Sequence, residues 1–133
     1  MQVFRATDSK VVAMMHFFDE GDSSAHDDGL ELFTMMNRHH DKTCVSVILD
    51  NNEIVGHTCG HLWYGDKYVW SFNSWVKKGV PKEYVVEGLD IIKQWSADNF
   101  NIHEIRCETF RNPEAMHRAY KWNKYSTIMT LEF

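Results

Sequence analysis

The chain has 133 residues, 44% of them apolar and 14% aromatic, which fits one domain, residues 1–133, around a packed core and excludes whole-chain disorder. Its net charge is −5, and its 3 cysteines form an odd, scattered set that excludes a disulfide framework and points to a reducing compartment. No apolar run is long enough for a bilayer, and the opening MQVFRATDSK lacks a leader's basic start and apolar stretch, so a cytoplasmic protein is expected.

Gln2 to Arg5 reads as a short first strand. Asp8 or Ser9 can cap a helix to about Phe18, with Val11, Val12, Met14, Met15 and Phe18 on its apolar side. The acidic segment EGDSSAHDDG is a loop, and Leu30, Phe33, Met35 and Met36 suggest a second short helix. Thr43 to Leu49 is rich in strand formers; Asp50-Asn51-Asn52 turns the chain, and Glu53 to Tyr64 returns as a strand. Gly65-Asp66 turns it again, and Lys67 to Val76 completes an antiparallel meander. Lys77-Lys78-Gly79-Val80-Pro81 breaks the pattern. Pro81 suits the first turn of a helix from about Lys82 to Asp98, whose Val85, Gly88, Leu89, Ile92 and Trp95 recur at helical spacing. Gly88 there predicts close approach of helix to sheet, since glycine in a helix costs about 1 kcal/mol relative to alanine. Ile102 to Phe110 is a further strand. Asn112-Pro113 opens a last helix holding Ala115, Met116, Ala119 and Tyr120, and Ser126 to Phe133 closes the chain as a strand.

The fold class expected is therefore mixed α/β: a central sheet of about six strands, an antiparallel meander followed by a βαβ crossover, and four helices. The crossover helix requires the strands on either side of it to run parallel. Charge is uneven along the chain. Residues 1–66 hold four Lys/Arg and eleven Asp/Glu, giving −7, and residues 67–133 hold ten and eight, giving +2. An anionic ligand belongs with the second half. The charge is too small for a duplex nucleic-acid binder.

His57, Cys59 and His61 alternate along one strand and so share a face. They are metal-ligand types, but neighbours two apart are spaced by nearly 7 Å, which hinders convergence on one tetrahedral ion. A buried strand face is the expectation, with no metal, although either histidine could line a pocket. His16, Asp19, Glu20, Asp22, His26, Asp27 and Asp28 could chelate a cation or form a solvated loop. Trp63, Trp70, Trp75, Trp95 and Trp122 could stack bases in the manner of RNA-binding sheets, but the acidic chain favours core and pocket walls.

The order of elements resembles that of the GNAT acyltransferases. Val3-Phe-Arg-Ala-Thr-Asp8 looks like that family's opening strand and helix cap, and Glu53-Ile-Val-Gly56 like its strand after a polar turn. Asn112-Pro-Glu-Ala115, Ala119-Tyr120 and Lys124-Tyr125 resemble its N-x-x-A, L-Y and G-F signature. The compact form is similar to small acyltransferase-like proteins of tailed phages. The resemblance departs in three places. Val76-Lys-Lys-Gly79-Val-Pro81 stands for a phosphate loop of the form Gln/Arg-x-x-Gly-x-Gly/Ala, Tyr120 is one residue further from Asn112 than usual, and Lys124 replaces a glycine.

The resemblance implies acetyl-CoA as cosubstrate. Its pyrophosphate would lie at the helix start after Gly79, with Lys77, Lys78 and Lys82 adding charge. Its pantetheine would run along the backbone of Asn73, Ser74, Trp75 and Val76, with Asn112 nearby. Tyr120 would be the general acid. Among Glu108 on one central strand and Ser71 and Asn73 on the other, Glu108 is the only carboxylate and would be the base. An amine or protein acceptor is implied, and the acidic loop region suits a cationic one. A non-catalytic binding or structural role, as a virion component or host-factor inhibitor of a phage, is the alternative, and a small metal-binding protein a third. Oligomeric state stays open, a homodimer included.

Overall fold

Asn51 and Asn52 both adopt left-handed backbone, φ 48° and 63°, which makes the two-residue turn that joins strands with the natural sheet twist. A computed structural model describes residues 1–7, 32–71, 74–108, 123–125 and 128–133. The turn links β2 (Thr43–Asp50) to β3 (Glu53–His61), paired antiparallel from Asp50↔Glu53 to Thr43↔His61 with one irregularity at Ile48/Leu49. On the outer side of β2 lies β1 (Gln2–Ala6), also antiparallel.

The strand expected over Lys67 to Val76 is two pieces, β4 (Val69–Ser71) and β5 (Trp75–Val76), each pairing β3. Next come β6 (Glu104–Glu108), β7 (Asn123–Tyr125) and β8 (Ile128–Glu132). The order across the sheet is β1-β2-β3-β4-β6-β8-β7, with β5 beside β3. The closing strand expected from Ser126 is thus one arm of a hairpin, because Asn123–Tyr125 folds back on Ile128–Met129–Thr130. The sheet has eight strand segments among the described residues, against the about six expected. β4 and β6 run parallel, as the crossover helix demands.

Two α-helices are described, besides a single 3-10 turn at His40–Lys42. α1 covers 32–38, and α2 is Lys82–Phe100. The expected helices after Asp8 or Ser9 and after Asn112 lie outside the described residues. α1 presents Leu32, Met35 and Met36 to the sheet, a helical i, i+3, i+4 stripe, and leaves Phe33 40% exposed. Its partners are Ala6, Val45, Val47, Ile54 and Cys59. On the opposite face, Leu89, Ile92 and Trp95 of α2 pack with Cys44, Val69, Ile105, Cys107 and Leu131.

Two glycines seat α2. A Cβ on Gly60 would stand 2.9 Å from Ile92 and 3.0 Å from Val69, and one on Gly88 would stand 3.1 Å from Ser46 Oγ. The Gly88 carbonyl accepts the buried Ser46 hydroxyl at 3.0 Å, which is the close approach that a mid-helix glycine predicted. Pro81 is the N-cap of α2, one position before the first turn. Asn101, at φ 52°, ends the helix in a left-handed cap whose N–H bonds the Ala97 carbonyl. No helix among the described residues is long and apolar enough to cross a membrane.

Candidate functional site

Two rungs join β4 to β6, Val69 opposite Ile105 and Trp70 opposite Arg106. Beyond them the partners change. Cys107 and Glu108 stay with β8, while Trp75 and Val76 stay with β3. Between the rungs His57↔Trp75 and Gly60↔Ser71, β3 advances three positions and its neighbour four. An extra residue on one strand bends it and interrupts its pairing. Among the described residues nothing bridges β5 to β6, and the place past Trp70 and Arg106 where their pairing stops is the split in the described sheet.

The split exposes backbone. The Lys77 N–H bonds the Val55 carbonyl at 2.8 Å, and alternation along an antiparallel strand then turns the Val76 N–H and C=O away from β3, toward the split. Directly after β5, Gly79 takes φ 96° and the Val80 N–H bonds the Lys77 carbonyl at 3.3 Å, a turn that delivers the chain to the start of α2. First-turn amides have no acceptor inside their own helix and sit at the positive end of its dipole. The arrangement can therefore hold an extended, amide-bearing group in the split and an anion at the helix start.

Of the expected cofactor-binding residues, Ser74, Trp75, Val76, Lys77, Lys78, Gly79 and Lys82 line this path in order. Trp75 and Val76 are half-buried, and Ser74, Lys77, Lys78, Gly79 and Lys82 are exposed. Lys77 reaches back to Glu53 at 3.2 Å, an exposed pair of small energetic weight. Ser71 is buried, its hydroxyl 3.4 Å from that of Ser74. Glu108 ends β6 opposite Ile128. Asn73, Asn112 and Tyr120 lie outside the described residues, as do the side chain of Glu108 and the acidic loop with His16 and His26.

His57, Cys59 and His61 are all buried on the α1 face of the sheet, as their alternation implied. His57 lies 6.1 Å from the Trp75 ring, and burial pushes the Cys59 thiol up. Burial also raises the Cys44 thiol, to about 11, against the pull of Arg5. Among the described residues no cluster of three metal-ligand side chains forms.

One row of side chains crosses the α1 face at the mouth of the split. Thr43, His61, Trp70, Arg106 and Thr130 stand opposite one another on β2, β3, β4, β6 and β8. The Arg106 guanidinium lies 4.1 Å from the Tyr68 ring centre and 3.4 Å from the Glu104 carboxylate, which also accepts the Thr130 hydroxyl at 3.1 Å. The His61 Nδ1 lies 2.8 Å from Thr43 Oγ1, and burial, with His39 and Lys42 beside it, holds the imidazole below its ordinary pKa. Sequence reasoning left Arg106 and Thr43 out. The visible signal for Arg106 was a guanidinium between the core residues Ile105 and Cys107.

No family model matches this sequence, and no curated protein matches it either. Solved structures do. An aminoglycoside 6'-acetyltransferase type Ii superposes with a TM-score of 0.71 at 13% identity, covering 99% of this chain and 97% of that one. The PaiA N-acetyltransferase of Thermoplasma acidophilum, solved in complex with coenzyme A, gives 0.66 at 10% identity over 100% of both chains. A GNAT-family acetyltransferase from Bacillus anthracis gives 0.63 at 11% identity, covering 99% and 95%. At such identities the likeness is one of architecture, and it runs the full length of the chain: this protein has the fold of the GNAT N-acetyltransferases.

Proposed function

We propose that this protein is an acyl-CoA-dependent N-acyltransferase that moves an acetyl group from acetyl-CoA to an amine. The observation that carries the reading is the split beside Val76, continued by the Gly79 turn into the start of α2. That path matches coenzyme A in sequence and in charge. Pantetheine amides would pair with the Val76 backbone along Asn73, Ser74, Trp75 and Val76. The pyrophosphate would meet the first turn of α2, with Lys77, Lys78, Gly79 and Lys82 around it. Asn112 would complete the cofactor side.

The thioester carbon would then lie where β4 and β6 part. A deprotonated amine attacks it, the C–S bond breaks, and the thiolate needs a proton. Tyr120 is assigned that proton donation. The base belongs at the mouth of the split, where Glu108, the last residue of β6, is the carboxylate that the resemblance offers. Cys44, Cys59 and Cys107, none of them in a disulfide, fit a cytoplasmic site of action as a single domain. A binding protein without catalysis is the second reading, favoured by Pro81 at the N-cap, which withholds one N–H from the helix start.

Thermal unfolding with and without acetyl-CoA tests the reading. A ligand at 100 times its dissociation constant adds about 2.7 kcal/mol to the native state. A clear rise in melting temperature with acetyl-CoA and with CoA is expected. No rise at millimolar ligand would exclude acyl-CoA binding. A rise without CoA release in the presence of any amine would leave the non-catalytic binder.

A further inference from the structure

We propose that His61, fixed by Thr43 as the tautomer protonated on Nδ1, is the group that takes the proton from the acceptor ammonium. The inference rests on the N-acyltransferase reading and supplies the base that reading leaves at the mouth of the split.

The hydrogen bonds decide the tautomer. The Thr43 hydroxyl donates to the His39 carbonyl at 2.9 Å, so its single proton is spent there. Thr43 Oγ1, 2.8 Å from His61 Nδ1, can then only accept, and Nδ1 must carry the hydrogen. The lone pair is left on Nε2, which no described residue hydrogen-bonds. The second nitrogen of a histidine is set in this way by the bond its first nitrogen makes. The His39 carbonyl is itself anchored, because it also accepts the Lys42 N–H at 3.0 Å.

Position agrees with the role. His61 is the last residue of β3, and it pairs with Trp70, which in turn pairs with Arg106 in the last rung before the strands part. Its side chain shares the α1 face with Trp70 and Arg106. Trp63 packs edge-on at 4.5 Å and His39 at 6.2 Å, so the ring is held on two sides. The charged groups around it are His39 and Lys42, which oppose its protonation, and Asp41, which favours it. Burial is the largest influence and keeps the imidazole neutral, the form a base requires.

The step balances as follows. The ammonium gives one proton to Nε2, and the neutral amine forms the C–N bond to the thioester carbon. The C–S bond breaks, the second proton of nitrogen ends on the thiolate, and His61 returns its proton to water. Thr43 is a positioning residue that never touches substrate.

Two measurements test the proposal. Long-range ¹H–¹⁵N spectra of the free protein should show His61 as the Nδ1–H tautomer, titrating below an ordinary histidine. Thr43→Val should lose that preference, and Thr43→Ser should keep it. A resonance typical of Nε2–H overturns the proposal whatever the activity. His61→Asn keeps a donor toward Thr43 and removes the base, so turnover should fall by about 10²–10⁴-fold with acetyl-CoA binding unchanged. The acid limb of the pH profile should vanish with it. If His61→Asn turns over normally while Glu108→Gln does not, the base is Glu108 and the acyltransferase reading stands. If the wild type binds no acetyl-CoA, that reading and this role fall together.

Discussion

Gly88 and Ser46 form a coupled pair whose sign is set by sterics. Alanine in a helix interior is favoured over glycine by about 1 kcal/mol. Here its Cβ would press on Ser46 Oγ, at 3.1 Å, and Ser46 cannot turn away without abandoning the buried bond to the Gly88 carbonyl. Leaving a buried hydroxyl unpaired costs about 1–3 kcal/mol. Gly88→Ala should therefore destabilise the native protein by about 1 kcal/mol, but stabilise a Ser46→Ala background. Urea unfolding of the four proteins in a double-mutant cycle measures the coupling. Gly60 has no such escape, since Ile92 and Val69 close on it from two sides, and Gly60→Ala should cost about 1–3 kcal/mol. His61 sets a pH dependence. Its folded pKa is lowered, so its neutral form is the one that folding favours. Its contribution is complete above the ordinary histidine value of about 6.5 and is lost as pH falls below it, toward the lowered value. Stability measured against pH through that window should fall less steeply in His61→Asn.

At the scale of elements, the turns and caps are specified by single residues. Asn51-Asn52 holds positive φ at both central positions, a conformation that asparagine tolerates and glycine prefers. Asn52→Gly should raise stability by a few tenths of a kcal/mol to about 1 kcal/mol, read as a higher melting temperature without change in cooperativity. Asn101 caps α2 in the same region of backbone space, and Asn101→Ala should lower stability by about 1 kcal/mol. At the split, the extra residue between β4 and β5 has a functional corollary. Removing one residue from 72–74 would bring the spacing on both strands to three positions, drawing β5 into register with β4 along β3. The shortened protein should keep its far-ultraviolet spectrum and lose its response to acetyl-CoA.

At the scale of the molecule, charge is uneven along the chain, acidic over residues 1–66 and slightly basic over 67–133. Lys78 and Lys82 of the second half are exposed beside the Gly79 turn, at the end of β5 and the start of α2. Replacing both with alanine should weaken acetyl-CoA binding and flatten its salt dependence, because screening acts on exposed charges within about 10 Å at 0.1 M salt. Dephospho-CoA and CoA compared on both proteins would locate the contact. Equal affinities in wild type and double variant would move the phosphates elsewhere.

The sequence by itself determined what depends on neighbours along the chain. The Asp50–Glu53 turn was legible because local backbone conformation is a property of those residues, and α2 because its apolar stripe repeats every three or four positions. The shared face of His57, Cys59 and His61 follows from alternation alone. The parallel β4–β6 pair followed from the crossover helix, and with it the place of the Gly79 turn. What only the tertiary structure decided depends on pairing across the sheet. No local signal in Lys67–Val76 marks the break between Ser71 and Trp75, since the strand is interrupted by its register against β3 and by the loss of β6 as a partner. The burial of Leu32 and Met35 rather than Phe33 is likewise set by what α1 meets. The row from Thr43 to Thr130 joins residues up to 87 positions apart through five strands, and the Thr43 hydroxyl that fixes the tautomer of His61 is brought to it by the β2–β3 ladder. Chemistry of that kind is written in the register of the strands, which is settled only when the whole sheet closes on both cores.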